Sequence, residues 1–151
     1  MPNQEAKNQQ DKAAQPSPVE LTRTWFERVW NQQDKSAIHE MMCTTCFAQG
    51  IGLEVAGPVG FIPFYENFVS VFDNMHIDII DLTGDDNCAA GHGVFSGHHK
   101  KSGKDVSFEF SVRARWDNGL LVEARNVIDF LSLLEQIGEF DKATLASALE
   151  A

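Results

Sequence analysis

The sequence predicts an α+β fold, with helices in the first half of the chain and mostly antiparallel strands in the second. Three observations support this fold class. Apolar residues recur at helical spacing after Pro18, two-residue alternation runs through residues 106–116, and Asn118-Gly119 then favours a tight hairpin. The chain has 151 residues and is 43% hydrophobic, which suits one domain with a proper core.

The chain divides into a tail, one domain and a short C-terminal piece. Residues 1–16 are rich in Gln, Asn, Lys and Ala and can bury little, so we expect a disordered N-terminal tail. Residues 17–140 form the single domain, and residues 141–151 form a short C-terminal helix or tail. The N-terminus has no apolar signal core and no run approaches about 20 apolar residues, so we expect a cytoplasmic protein without membrane contact.

Capping residues mark the first two helices. Ser17 and Glu20 can form a capping box around Pro18, which suits the first helical position. Apolar residues follow at helical spacing and give this helix a broad buried face; they are Leu21, Trp25, Phe26, Val29 and Trp30. Asp34 can cap a second helix, and a strand is expected over residues 47–55.

The remaining elements follow in order along the chain. Gly57 opens a third helix, whose apolar residues are Phe61, Ile62, Tyr65, Phe68, Val69 and Phe72. Strands are expected over residues 75–81 and 87–98, ahead of the hairpin. After the hairpin a short helix is predicted to end at Gly138, because Gly favours the conformation that terminates helices.

The hairpin allows two registers, which differ in the type of turn. A two-residue turn pairs Trp116 with Leu121, whereas a three-residue turn with Gly119 in a bulge pairs Trp116 with Leu120. The second register places the apolar residues of both strands on one face. Since a one-residue slip moves a whole strand to the wrong face, we predict the bulged register.

The bulged register decides which polar residues point inward. It sets Asn126 opposite Phe110, so Asn126 lies inside among phenylalanines and Asp129 does not. It also brings Arg113 opposite Glu123, an opposite-charge pair on the outer face.

Charge and cysteine content exclude several classes of site. The net charge of −10 argues against nucleic-acid binding, which needs Lys and Arg to neutralise phosphates. Cys43 and Cys46 form a C-x-x-C pair, but no second pair completes a four-ligand zinc site. The pair also follows a helix rather than a strand, so we expect reduced cysteines, no metal and no cofactor.

The segment RWDNGLLVEARNVIDFLSLLEQIG resembles the end of the SnoaL-like polyketide cyclases. The family pattern there is an Arg, a D-G-K-I-type turn, an acidic residue, an aspartate that opens the last helix, and a closing Q-L-G. The matching positions are Arg115, Gly119, Glu123, Asp129, Gln136 and Gly138. Earlier pieces are also similar, such as Val29-Trp30-Asn31 followed by Asp34, so the resemblance covers residues 21–138.

The resemblance implies a cone-shaped α+β barrel, in which a curved antiparallel sheet wraps around the N-terminal helices and leaves a pocket. This is the nuclear transport factor two-like (cystatin-like) fold, which ketosteroid isomerase and scytalone dehydratase share. The resemblance also implies a homodimer that pairs through the outer face of the sheet. The outer row expected on the last strand is Leu121, Glu123, Arg125 and Val127.

The resemblance also locates the family's catalytic positions. The acid/base aspartate of the cyclases falls on Asn126, their assisting histidine on Val112, and a polar residue of the first strand near Ala48. Because an amide cannot act as a general base near neutral pH, we predict a pocket that binds a small apolar, carbonyl-bearing molecule. The expected ligand-binding residues are Asn126, Phe110, Val112, Phe108, Ala48, Trp116, Trp30 and Tyr65.

An active enzyme is the alternative hypothesis. A cyclase or isomerase acting on a small hydrophobic substrate would have to use His92 or Asp129 as its catalytic group. His92 lies one residue beyond Gly91, where the family has a histidine, and a shift of one residue changes the face of a strand. Asp129 precedes Phe130 and can cap the last helix instead.

Overall fold

Five strands form one curved sheet, and helices cover one of its faces in a computed structural model that describes residues 15–53 and 55–150. The strands are β1 (Met42–Gln49), β2 (Phe72–Gly84), β3 (Cys88–His99), β4 (Lys104–Asp117) and β5 (Leu120–Ile128). The helices are α1 (Pro18–Trp25), α2 (Ser36–Met41), α3 (Gly57–Ser70), α4 (Phe130–Gln136) and α5 (Lys142–Leu149). The predicted α+β class is confirmed. Most of the predicted N-terminal tail, residues 1–14, lies outside the described residues.

The strand order is β1-β5-β4-β3-β2, and two features differ from the expected antiparallel barrel. β1 pairs with β5 in parallel, whereas the other neighbours are antiparallel. The sheet is also open, because β1 and β2 are its two edges and α3 packs against both of them. Among the described residues, no helix is long and apolar enough to cross a membrane.

The first helix begins with the predicted capping box. The Glu20 amide donates to Ser17 Oγ at 3.2 Å, and the Ser17 amide donates to Glu20 Oε2 at 2.8 Å. The helix continues past Trp25 as a π-helical segment, Phe26–Asn31. This segment ends against edge strand β2, where Asn31 Nδ2 donates to the Ile77 carbonyl at 3.0 Å and Asn31 Oδ1 accepts from the Ile77 amide at 2.7 Å.

β1 starts and ends earlier than the predicted strand at residues 47–55. It ends at Gln49 because Gly50 and Gly52 adopt φ values of +86° and +75°, in the left-handed region that an extended strand cannot use. Gly50 also lies directly against β5. A Cβ atom at this position would be 1.8 Å from the Asn126 carbonyl oxygen, so only glycine fits.

The β4–β5 hairpin has a two-residue turn, and the predicted three-residue turn is wrong. Asn118 and Gly119, with φ values of 49° and 77°, form the turn, and Trp116 pairs with Leu121. The register then shifts by one residue, because Val122 is an unpaired bulge residue between Leu121 and the next paired residue of β5.

The bulge restores the inward direction of Asn126. Beyond Val122, Asn126 pairs with Val112 rather than with Phe110, but it remains on the same side of the sheet as both. Leu121, which was expected in the outer row, is instead 3% exposed and points inward. On the outer face Glu123 pairs with Arg115 and remains 3.7 Å from Arg113 Nη1.

Candidate functional site

A cavity of about 90 Å³ lies between the helices and the sheet. Aromatic side chains form its helical wall: Trp25, Phe26, Trp30, Phe61, Phe64 and Phe68. The sheet wall includes Ala48, Phe108, Phe110, Val112, Trp116 and Asn126. The volume is smaller than the roughly 150 Å³ of an engineered apolar cavity that binds benzene. The cavity therefore has room for no more than a small ring unless its walls move.

Most of the sequence-predicted residues meet in this cavity. Val112 pairs with Asn126 across β4 and β5, and Ala48 pairs with Ala124 across β1 and β5. The three residues that the family resemblance assigns to catalytic positions therefore lie on one patch of the wall. Phe108, Phe110, Trp116 and Trp30 also line the cavity. Their role in ligand binding stays a prediction.

Asn126 is held in one orientation by the end of β1. Its Nδ2 atom donates to the Gln49 carbonyl at 2.9 Å. The flipped amide would bring Oδ1 against that carbonyl, and two acceptors at this distance repel. None of the described residues donates a hydrogen bond to Asn126 Oδ1. The described residues contain no side-chain oxygen or nitrogen that is both sealed from solvent and unpaired, so Oδ1 is accessible to solvent.

A second polar group of the lining, the Thr22 hydroxyl, has its hydrogen bonds satisfied within the protein. Trp116 Nε1 donates to Thr22 Oγ1 at 3.0 Å, and Thr22 Oγ1 donates to the Pro18 carbonyl at 2.7 Å. Thr22 is not among the residues predicted from the sequence. Its signal is its position on the apolar face of α1, three residues before Trp25, where a hydroxyl can satisfy a buried indole.

The family model for the SnoaL-like polyketide cyclases matches residues 20–137 of this chain. The chain belongs to this family. No functionally curated protein matches the sequence. The family assignment of this SnoaL-like chain therefore rests on the family model.

The solved structures share the fold at low sequence identity. TsrD from Streptomyces laurentii has a TM-score of 0.72 at 18% identity, with 81% of this chain and 95% of that chain covered. IdmH, a candidate polyketide cyclase from Streptomyces antibioticus, has a TM-score of 0.72 at 17% identity, with 82% and 99% covered. A Catenulispora acidiphila protein with a ketosteroid isomerase-like fold, solved with trimethylamine, has a TM-score of 0.70 at 16% identity, with 82% and 95% covered.

The SnoaL-like cavity contains no acid or base among the described residues that line it. Neither alternative catalytic residue enters it. His92 lies on the outer face of β3 opposite Ser111, with Nδ1 3.0 Å from Asp81 Oδ2. Asp129 Oδ1 accepts from the Ser132 amide at 2.9 Å and caps α4, as its position before Phe130 suggested.

Tyr65 does not line the cavity, in contrast to its predicted role. Its side chain is 2% exposed, and its hydroxyl donates to the Val29 carbonyl at 2.8 Å. Burial raises the pKa of the Tyr65 phenol, so it stays protonated at neutral pH. The residue therefore joins α3 to the π-helical segment and is a structural contact.

The two cysteines of β1 differ in environment, and both are free thiols. Thr45 Oγ1 lies 3.1 Å from Cys43 Sγ and the Thr45 amide donates to the same sulfur at 3.4 Å, which lowers the pKa of Cys43. Burial raises the pKa of Cys46 to about 11. Among the described residues, no group of three or more His, Cys, Asp or Glu side chains could hold a metal ion.

Proposed function

We propose that this SnoaL-like protein binds a small apolar, carbonyl-bearing molecule in the cavity and does not perform acid/base cyclisation there. One observation carries this proposal: none of the described residues that line the cavity has an ionisable side chain. Ring closure by an aldol step begins with removal of a proton from carbon, which needs a base within hydrogen-bonding reach. The family resemblance assigns the position of the family's base to Asn126, and an amide cannot accept that proton.

The lining supports a ligand that is mostly hydrocarbon with one or two polar atoms. The helical wall is aromatic, and burial of apolar ligand surface against it provides the main driving force. The indole N–H groups of Trp25 and Trp30, which line the cavity, donate to no described residue. Neither N–H group is an unpaired donor that is sealed from solvent. These groups are suitable donors for a ligand carbonyl.

The size of the cavity favours a single small ring or a short chain. At about 90 Å³ it is smaller than the roughly 150 Å³ cavity that accepts one benzene molecule. A three-ring polyketide would require the aromatic side chains of the helical wall to move apart. A five-membered cyclic ketone is therefore a better first probe than a polycyclic ester.

Cyclopentanone in D₂O tests binding and base chemistry in one sample. Binding is measured from chemical-shift changes in the ¹⁵N spectrum of the protein, and enolisation from loss of the ketone's α-proton signal as deuterium replaces it. We expect saturable shifts at cavity residues and α-proton exchange no faster than in buffer. Exchange that the wild-type protein accelerates and Asn126→Leu abolishes would overturn the non-catalytic assignment.

A further inference from the structure

We infer that the ligand also carries a hydrogen-bond donor, in the simplest case a hydroxyl group, that binds Oδ1 of Asn126. This inference rests on the proposed function, because it names the chemistry of the molecule that fills the same cavity. The inference follows from which polar atoms of the lining already have hydrogen bonds within the protein and which do not.

The orientation of the Asn126 amide determines which atom is open. One proton of Nδ2 is engaged by the Gln49 carbonyl at 2.9 Å, and the reversed amide would place two acceptors in contact. Oδ1 is therefore the end directed away from Gln49, with both of its lone pairs free of bonds from described residues. Val112 and Ala48, its neighbours on the wall, have no side-chain donor to offer it.

Among the side-chain oxygens of the described lining residues, Asn126 Oδ1 is the one that accepts no hydrogen bond from these residues. The other oxygen is Thr22 Oγ1, which already accepts from Trp116 and donates to Pro18. A ligand that covers Asn126 removes water from Oδ1, and a buried acceptor without a donor is costly. A ligand hydroxyl avoids that cost, whereas a ligand that offers only a carbonyl leaves Oδ1 covered and without a donor.

The hydroxyl and the proposed carbonyl have separate partners. The indole N–H groups of Trp25 and Trp30 are donors and suit a carbonyl, whereas Asn126 Oδ1 is an acceptor and suits a hydroxyl. The two indoles lie on the helical wall and Asn126 lies on the sheet wall. A hydroxy ketone or hydroxy ester carries both of these groups.

Three five-membered rings of nearly equal size separate the possibilities. Cyclopentanol supplies a donor, cyclopentanone only an acceptor, and methylcyclopentane neither. For the wild-type protein we expect a Kd for cyclopentanol about tenfold lower than for cyclopentanone, measured by NMR titration. In Asn126→Leu, which replaces the amide by an apolar group of similar shape, we expect this preference to disappear.

Asn31→Leu is the matched control, because it removes an amide outside the cavity whose two ends are both bonded to Ile77. It should keep the tenfold preference for the alcohol. A wild-type protein that binds the ketone as tightly as the alcohol overturns the inference, and this comparison needs no variant. Failure of all three rings to bind would instead contradict the proposed function.

Discussion

At the scale of single residues, Asn126 is the polar side chain of the sheet wall, at the position where the family resemblance predicts an acid/base aspartate. Its amide is fixed by a hydrogen bond to the Gln49 carbonyl at the end of β1. This bond needs a donor at the δ position that faces Gln49, and a carboxylate has none. The local structure therefore suits an amide and disfavours an ionised aspartate at this position.

Asn126→Asp should lower stability in a manner that depends on pH. The new carboxyl faces the Gln49 carbonyl and can bond to it only when protonated, so its folded-state pKa should rise above the ordinary value of about 3.9. A raised pKa favours the folded state at low pH. Stability should then fall as pH rises from about 4 through the raised pKa, with a loss on the order of 1–3 kcal/mol at pH 7.

Urea unfolding of the wild-type protein and Asn126→Asp between pH 4 and pH 8 measures this effect. The difference in unfolding free energy should grow with pH and then level off. A difference that stays constant over this range would show that the carboxyl does not face Gln49 in the folded protein.

Cys43 should react with iodoacetamide before Cys46 does. Thr45 lowers the pKa of Cys43 and so increases its thiolate fraction, whereas Cys46 is 1% exposed with a pKa raised to about 11. A time course at pH 8, followed by mass spectrometry of peptides, measures both rates. Thr45→Val should slow Cys43 and leave Cys88 unchanged; equal rates for Cys43 and Cys46 would mean that β1 opens readily.

Sequence patterns located the cavity residues well and the orientation of single side chains less well. The alternation in β4 fixed the inward direction of Phe108, Phe110 and Val112. The face of His92 was ambiguous, since Gly91 and Gly93 beside it give no apolar pattern. Only the pairing with β4 settles that it points outward.

At the scale of elements, the loop after β1 is built on close backbone contact. Gly50 and Gly52 both have positive φ, but they differ in surroundings: a Cβ on Gly50 would meet the Asn126 carbonyl, whereas nothing lies within 4 Å of one on Gly52. The loop thus holds Gln49, and through it the Asn126 amide, against the cavity wall.

Gly50→Ala should destabilise the protein more than Gly52→Ala does. Gly52→Ala has only the backbone cost of a side chain at positive φ, about 1 kcal/mol. Gly50→Ala adds displacement of the loop from β5, so we expect a loss of about 2 kcal/mol or more. Urea unfolding of both variants gives the difference, and equal losses would show that the loop does not pack on Asn126.

The predicted bounds of β1 and the predicted turn of the β4–β5 hairpin are wrong for physical reasons. The exposure pattern of β1 is irregular, and its register with β5 shifts between Met42 and Phe47, so the first half of the strand shows no two-residue alternation. In the hairpin, Leu120, Leu121 and Val122 are all apolar and fit either register. A bulge inside such a run leaves no trace in the hydrophobic pattern.

At the scale of the whole molecule, the outer face of the sheet combines apolar and charged groups. Val127 is 76% exposed and Phe47 is 43% exposed. Between them Glu123 bonds to Arg125, with nitrogen and oxygen 2.9 Å apart, and this contact lowers the pKa of Glu123. Such a mixed surface suits pairing with a second copy of itself, in which each apolar group meets its counterpart.

We predict a homodimer through this outer face, and Val127→Asp should weaken it by placing a carboxylate where that face now has an exposed apolar side chain. Sedimentation equilibrium at micromolar concentration should give a dimer for the wild-type protein and a larger monomer fraction for Val127→Asp. Val59→Asp is the control, because Val59 is 80% exposed on α3, away from the outer face. A wild-type monomer throughout this concentration range would end the prediction.

The contact between Asn31 and β2 has a consequence for how copies of this chain behave in crowded solution. An edge strand presents unpaired amide and carbonyl groups, and these can recruit a strand from another molecule and start a polymer. At Ile77 both groups are already occupied by the Asn31 side chain. A sixth strand would have to displace this amide before it could add to the sheet. The residue that ends the first helical region thus opposes the addition of a strand at this point of the β2 edge.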